Sequence, residues 1–185
     1  MIRRQLINFQ NRSVDVRVGL GAFDELSRMF ASAVGKPKRA MVVWNSASSE
    51  RFDEVVEHAL VDAGFAVSQF SLEVSPAGAT LADADAIFGA LSANGITCDD
   101  LVVAVGDAAT CSVVSWCANQ WCGRTECALL PTTFDAMLTV ATTMKPLVAS
   151  SANALPAIAF RPEPGLVVCL SLIHISEPTR PLYIS

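Results

Sequence analysis

The strongest constraint in this chain is a pair of short, unbroken apolar runs, each followed by a polar residue or glycine and then by a helical pattern. Residues 40–44 read Ala-Met-Val-Val-Trp, and residues 101–105 read Leu-Val-Val-Ala-Val. A run of this kind suits a strand covered on both faces, as in a parallel sheet, whereas a strand wetted on one face alternates. After the first run, Phe52, Val55, Val56 and Leu60 recur at helical spacing within residues 50–63. After the second, residues 107–120 carry a helical pattern. Further strands are expected at 65–70 and 127–130, and further helices at 81–91 and 134–142. Strands alternating with helices of this length make βαβ units, so the expected fold class is α/β, a Rossmann-like parallel sheet flanked by helices. Ligands of such sheets bind outside the carboxyl ends of the strands. That directs attention to Asn45, Gly106 and Pro131, each of which follows a strand.

Two alternating stretches, residues 4–9 and 13–18, precede this pattern. In the second, Val14, Val16 and Val18 share one face while Asp15 and Arg17 share the other, the signature of a half-buried strand. Asn11-Arg12 between the stretches suggests a hairpin. Gly19-Leu20-Gly21 breaks the second strand, and a helix is expected from Phe23 to about residue 34, ended by Gly35-Lys36-Pro37. Ser46-Ala47-Ser48-Ser49 reads as a strand-to-helix loop in which a Ser or Asn caps the following helix.

Composition excludes several classes. In 185 residues, 52% are hydrophobic and 17% charged, which gives a core and argues against a disordered chain. Thirteen Lys and Arg against 18 Asp and Glu give a net charge of −5, so no nucleic-acid partner is expected. No membrane partner is expected either, because no apolar run reaches the roughly 18 residues that cross a bilayer. Met1-Ile2-Arg3-Arg4-Gln5 is not a secretory signal, and a cytoplasmic location is expected. The six cysteines, Cys98, Cys111, Cys117, Cys122, Cys127 and Cys169, include no pair with a two-residue gap. They read as small buried hydrophobes rather than as disulfides or zinc ligands. His58, mid-helix beside Glu54 and Glu57, reads as a surface or boundary residue rather than a ligand. No metal site is expected from the residues present.

From Leu170 the sequence changes character. Leu170-Ser171-Leu172-Ile173-His174-Ile175-Ser176-Glu177-Pro178-Thr179-Arg180 resembles the in-frame translation of a transposase adapter used in sequencing libraries, with read-through to Ser185. The expected domain is therefore 1–169, with 170–185 an adapter-derived tail that is set aside. The natural gene is expected to continue beyond Cys169.

Three segments together resemble the N-terminal, nucleotide-binding half of the 3-dehydroquinate synthase family. They are Val14-Asp15-Val16-Arg17-Val18-Gly19-Leu20-Gly21 with Phe23 and Leu26, then Asp100-Leu101-Val102-Val103-Ala104-Val105-Gly106, then Leu130-Pro131-Thr132-Thr133-Phe134-Asp135-Ala136. Residues 164–169 resemble the strand that precedes the family's all-helical second domain, and that domain is expected to be missing from this chain. The resemblance implies NAD-dependent conversion of 3-deoxy-arabino-heptulosonate 7-phosphate to 3-dehydroquinate and phosphate, in the shikimate pathway of aromatic amino acid biosynthesis. It implies NAD and a divalent metal such as zinc as cofactors, with the metal ligands outside this fragment. A phosphorylated sugar acid is the implied small-molecule partner, and a homodimer is one assembly it allows. The fragment alone is expected to be inactive. Two alternatives stand beside this: a non-catalytic pseudoenzyme domain, and a glycerol or alcohol dehydrogenase-like oxidoreductase, because those enzymes share the glycine turn and the Pro-Thr-Thr.

By the same resemblance, the cofactor-binding positions are Asn45, Gly106, Asp107, Ala108, Ser112, Thr132 and Thr133, and the catalytic positions are Lys145 and Arg124. Several depart from the family pattern. The glycine triplet becomes Gly106-Asp107-Ala108, which places a carboxylate where pyrophosphate lies; a like charge weakens such binding. An Asp becomes Ser112, and the acidic residue that holds the ribose becomes Asn45. The Gly-Glu-x-x-Lys turn becomes Gly78-Ala79-Thr80-Leu81-Ala82. The arginine is displaced by one position in Gly123-Arg124, and a further Asp becomes Thr139. Cys111, Ser112, Cys117, Cys122 and Cys127 have no histidine nearby in sequence to activate a nucleophile.

Overall fold

The computed structural model describes residues 2–9, 12–19, 21–45, 53–75, 78–149, 156–159 and 164–170. Among these, the expected Ser46–Ser49 loop, Asn11 and residues 171–185 do not fall. Two strands, β1 (Ile2–Phe9) and β2 (Arg12–Gly19), open the chain as an antiparallel hairpin with Phe9 opposite Arg12. Val14 and Val16 are buried as the alternation requires, whereas Val18 is 46% exposed at the strand's outer end. A 3-10 turn, Phe23–Glu25, then leads into α1 (Leu26–Ala33), which buries Leu26, Met29 and Phe30 on one face.

The alternating part follows in order: β3 (Arg39–Asn45), α2 (Asp53–Asp62), β4 (Ala66–Leu72), α3 (Leu81–Ala93), β5 (Leu101–Gly106), α4 (Ala108–Gln120), β6 (Glu126–Pro131) and α5 (Phe134–Thr139). The helix expected over 134–142 stops three residues early. Thr139 Oγ1 donates to Asp135 O, and Thr142 Oγ1 donates to Thr139 O. Hydroxyls that bond back to the helix's own carbonyls, in a β-branched stretch, favour a closing turn over another helical turn. Two short strands that periodicity does not announce, β7 (Leu147–Val148) and β8 (Pro156–Ile158), pair with each other. The last strand is β9 (Leu166–Leu170), which starts two residues later and ends one residue later than the expected 164–169.

The main sheet has seven strands in the order β1-β2-β9-β6-β5-β3-β4, all parallel except the β1–β2 hairpin. The fold is therefore α/β and Rossmann-like, as the apolar runs imply. Pleating sorts the runs by face. Ala40, Val42 and Trp44 pack with α1 and α2, while Met41 and Val43 pack with α3, α4 and α5 on the other face. The chain goes from β3 outward to β4 and then returns to the other side of β3 to form β5. The order reverses there, which makes the gap between the carboxyl ends of β3 and β5 the switch point of the sheet.

Candidate functional site

Asn45 ends β3 and Gly106 ends β5, so the two stand side by side at the switch point. Asp107 follows Gly106 as the N-cap of α4. Its carboxylate Oδ1 accepts from Thr110 N at 2.9 Å and from Thr110 Oγ1 at 2.8 Å. Thr110 Oγ1 in turn accepts from Asn45 Nδ2 at 3.0 Å, and Asn45 Nδ2 also lies 3.4 Å from Val74 O. A chain of hydrogen bonds thus runs from β3 through Thr110 to the carboxylate after β5, bridging the switch point. Asn45 and Thr110 are buried, so these bonds replace water for groups that cannot reach it.

Gly106 is a close-approach position. A Cβ there would lie 3.0 Å from both Thr110 Cβ and Cγ2 and 3.2 Å from Asn45 Cβ. The glycine is needed by the protein's own side chains. Ala108 is buried in the first turn of α4. On the β6 side, Thr132 N donates to Gly106 O at 2.8 Å, which fixes the turn after β6 against the end of β5. Thr132 Oγ1 is buried there with no hydrogen-bond partner, and so is Trp44 Nε1 on β3. Thr133 caps α5, its hydroxyl accepting from Ala136 N at 3.3 Å.

Ser112 lies one turn into α4 and is buried. Its hydroxyl donates to Ala108 O and accepts from Lys145 N at 2.9 Å. Ser112 therefore ties the loop after α5 to α4. The Lys145 Nζ stands 4.0 Å from Asp135 Oδ2 with its side chain partly exposed. The loop is held a second time where Val148 N donates to Ala79 O at 2.8 Å. Thr80, in the turn after Gly78, caps α3 in a reciprocal capping box with Asp83.

Arg124 is placed elsewhere. It follows the far end of α4, at the amino ends of the strands, and a 13-residue helix separates it from Asp107 by about 20 Å of rise. The backbone has positive φ at Cys122, Gly123 and Arg124 in succession, which only the glycine adopts freely. The structure therefore brings together Asn45, Gly106, Asp107, Ala108 and Thr132, with Ser112, Thr133 and Lys145 behind them, and does not bring Arg124 to that group. Sequence reasoning does not single out Thr110, the residue on which the chain turns. Its signal is the Asp-x-x-Thr spacing at a helix start, where the third residue faces the cap.

The thiols offer no nucleophile at this edge. Cys111, Cys117, Cys127 and Cys169 are buried, and burial pushes the Cys169 thiol up to about 11 and the other three further. The reading of all six as buried hydrophobes holds for these four. Cys98 and Cys122 are exposed, because both lie in loops at the amino edge where no helix covers them.

An α/β sheet with a glycine turn and a helix N-terminus at its switch point defines a domain of the Rossmann-like class. No protein-family model matches the chain, and no curated protein matches it in sequence. Solved structures resemble it in fold. 2-Deoxy-scyllo-inosose synthase superposes with a TM-score of 0.75 at 15% identity, over 90% of this chain and 46% of that one. The same enzyme is known in complex with carbaglucose-6-phosphate, NAD+ and Co2+. The 2-epi-5-epi-valiolone synthase of Streptomyces hygroscopicus subsp. jinggangensis 5008, with NAD+ and Zn2+ bound, gives 0.66 at 13% identity, over 89% of this chain and 45% of that one. An iron-containing alcohol dehydrogenase of Thermotoga maritima gives 0.59 at 16% identity, over 84% and 45%. The fold is that of the N-terminal domain of dehydroquinate synthase-like enzymes. This chain spans less than half the length of these proteins.

Proposed function

We propose that this chain is the nucleotide-domain half of a dehydroquinate synthase-like protein of the sugar-phosphate cyclase group, and that it does not turn over 3-deoxy-arabino-heptulosonate 7-phosphate by itself. The observation that carries the reading is the switch point itself, with Gly106 ending β5 and Pro131-Thr132 set against it from β6. The cyclases superpose with higher TM-scores than the alcohol dehydrogenase, which favours them over the oxidoreductase alternative.

NAD is the cofactor that this reading implies, and the residues present do not fit it. A pyrophosphate at a helix N-terminus needs open backbone N–H groups and a positive end of the helix dipole. Here one of those N–H groups, that of Thr110, is taken by the Asp107 carboxylate, which also brings a like charge to the helix end. The close-approach space over Gly106 is filled by Thr110 and Asn45. Asn45, at the ribose position, already directs Nδ2 to Thr110 Oγ1 and Val74 O. Nor do the described residues include a group of three or more His, Cys, Asp or Glu suited to a metal ion. No catalytic step is therefore assigned to Lys145 or Arg124. What the edge does is structural: Asp107 caps α4, Ser112 anchors Lys145, and Thr133 caps α5. This supports the non-catalytic reading of the domain. One observation favours a ligand at this edge all the same, the buried and unpartnered hydroxyl of Thr132.

Phosphate release from 3-deoxy-arabino-heptulosonate 7-phosphate, followed with the purified chain in the presence of NAD+ and Zn2+, tests the proposal. The expected result is a rate indistinguishable from the protein-free control. Release that scales with protein concentration overturns it.

A further inference from the structure

We infer that Asp107 is a built-in occupant of the anion position at the switch point, and that its charge sets the crevice against nucleotide phosphates. The inference rests on the domain reading above for the place of the crevice, and adds which group controls what enters it.

A helix N-terminus carries the equivalent of about +0.5 charge, which is what recruits a phosphate. The Asp107 carboxylate brings a full negative charge to the same point, so the sign there inverts. Among the described residues no Lys or Arg pairs with Asp107. Three of the donors beside it are already committed. Thr110 N and Thr110 Oγ1 both end on Asp107 Oδ1, and Asn45 Nδ2 ends on Thr110 Oγ1. A ligand phosphate arriving at α4 thus meets like charge, with Thr110 N, Thr110 Oγ1 and Asn45 Nδ2 already in use.

The geometry of Gly106 points the same way. Glycine at such a turn ordinarily leaves room for a ligand's phosphate. Here the room is occupied by Thr110 and Asn45, whose carbons would stand 3.0–3.2 Å from any Cβ at Gly106. A polar group nonetheless remains at the rim. Thr132, whose N–H reaches Gly106 O, holds a buried hydroxyl without a partner. The switch point therefore leaves one polar atom unanswered and sets the protein's own carboxylate at the start of α4.

Two variants separate charge from capping. Asp107→Asn keeps the size of the side chain and the ability to cap α4, since Asn and Asp cap about equally well, and removes the charge. Asp107→Gly removes both. The purified chain and each variant are titrated with NAD+ and with inorganic pyrophosphate by calorimetry, with circular dichroism confirming the fold of each. The wild-type chain is expected to show no saturation at millimolar concentrations of either probe. Both variants are expected to bind pyrophosphate at least about tenfold more tightly than wild type, the scale of removing one nearby like charge. Wild-type saturation at micromolar NAD+, or variants that bind no better than wild type, overturns the inference. Variants that gain pyrophosphate but not NAD+ support the role of Asp107 and count against the dinucleotide-domain reading instead. The two can thus fail separately.

Discussion

The two ends of the sheet handle polar groups in opposite ways. At the carboxyl end, Asn45, Thr110 and Asp107 form a hydrogen-bonded chain that crosses the gap between β3 and β5. At the amino end the polar groups are ion pairs along a rim: Lys38 with Asp99 at 2.7 Å, Arg12 with Glu126 at 3.1 Å, and Arg39 4.0 Å from the buried Asp100. Two adjoining cavities of about 550 and 220 Å³ open at that rim, sharing Ala33 and Glu126. A βαβ sheet leads one to look for ligands at the carboxyl end. Among the described residues, the switch point at that end is laced across by side chains, and these two cavities lie at the amino end. Position in the fold and openness are separate properties, and the polar side chains decide the second.

The same substitution at both ends tests this most strongly. At Gly106 a new Cβ meets Cβ and Cγ2 of Thr110 and Cβ of Asn45, atoms fixed by α4 and β3. At Gly165, just before β9, it would run into Glu126 Oε1, a far worse contact on paper. The expected order is nevertheless reversed. Glu126 is a long side chain on an open rim and can swing away at the cost of its Arg12 pair, whereas backbone-near atoms in a packed interior cannot. Gly106→Ala should destabilise by about 2 kcal/mol, the usual scale of overpacking. Gly165→Ala should cost about 1 kcal/mol, the scale of a lost, partly exposed ion pair. Chemical denaturation of both variants checks the order. A costlier Gly165→Ala would mean that the amino rim is as rigid as the switch point.

A smaller effect concerns pH, and two carboxylates beside the smaller cavity carry opposite signs. Burial alone would raise the Asp15 carboxyl, but hydrogen bonds and charge from Arg17 and Arg4 outweigh it and hold Asp15 below its ordinary value of 3.8. Burial pushes Glu126 above 4.5, against the pull of Arg124 and a backbone hydrogen bond from Cys127 and despite Arg12 at 3.1 Å. The lowered Asp15 adds stability that is present above 3.8 and lost as pH falls further. The raised Glu126 adds stability that is present below 4.5 and lost as pH rises through its folded value. Thermal melts between pH 3 and 8 should therefore show Asp15→Asn losing most above pH 4. Glu126→Gln should compare more favourably with wild type at pH 7 than at pH 4. If the two variants shift the profile in the same direction, the rim does not hold one carboxylate down and the other up.

How much of this is legible in sequence depends on the range of the interaction. The runs at 40–44 and 101–105 specify buried parallel strands because covering both faces requires apolar residues at every position. Their ends, Asn45 and Gly106, follow directly. What the sequence does not display is that these ends are neighbours, since strand order depends on where the chain crosses back after β4. The bond from Asn45 to Thr110 spans 65 positions, and no local pattern encodes it. Asp107 is legible as a charge, and its capping role needs only the spacing to Thr110. Arg124 is the opposite case. Its number lies near Asp107, but α4 carries it the full length of a helix away.

The smallest expected effect on stability comes from the thiols, where the contrast runs between interior and rim. Cys111 and Cys117 face the core from α4, Cys127 and Cys169 from β6 and β9, and their burial keeps them protonated at neutral pH. A thiolate is the reactive form, so these four should resist modification while the fold is intact. Cys98 is exposed beside Lys38 and Asp99 at the rim of the larger cavity, and Cys122 is exposed in the turn after α4. Titration with a disulfide reagent at pH 8 should therefore label two thiols per chain quickly and all six only in denaturant. Mass spectrometry should place the fast labels at Cys98 and Cys122, with little change in melting temperature. Rapid labelling of Cys111 would show that the first turn of α4 opens easily. The Asp107 cap would then be a loose contact, and the carboxyl edge would be the more mobile of the two ends.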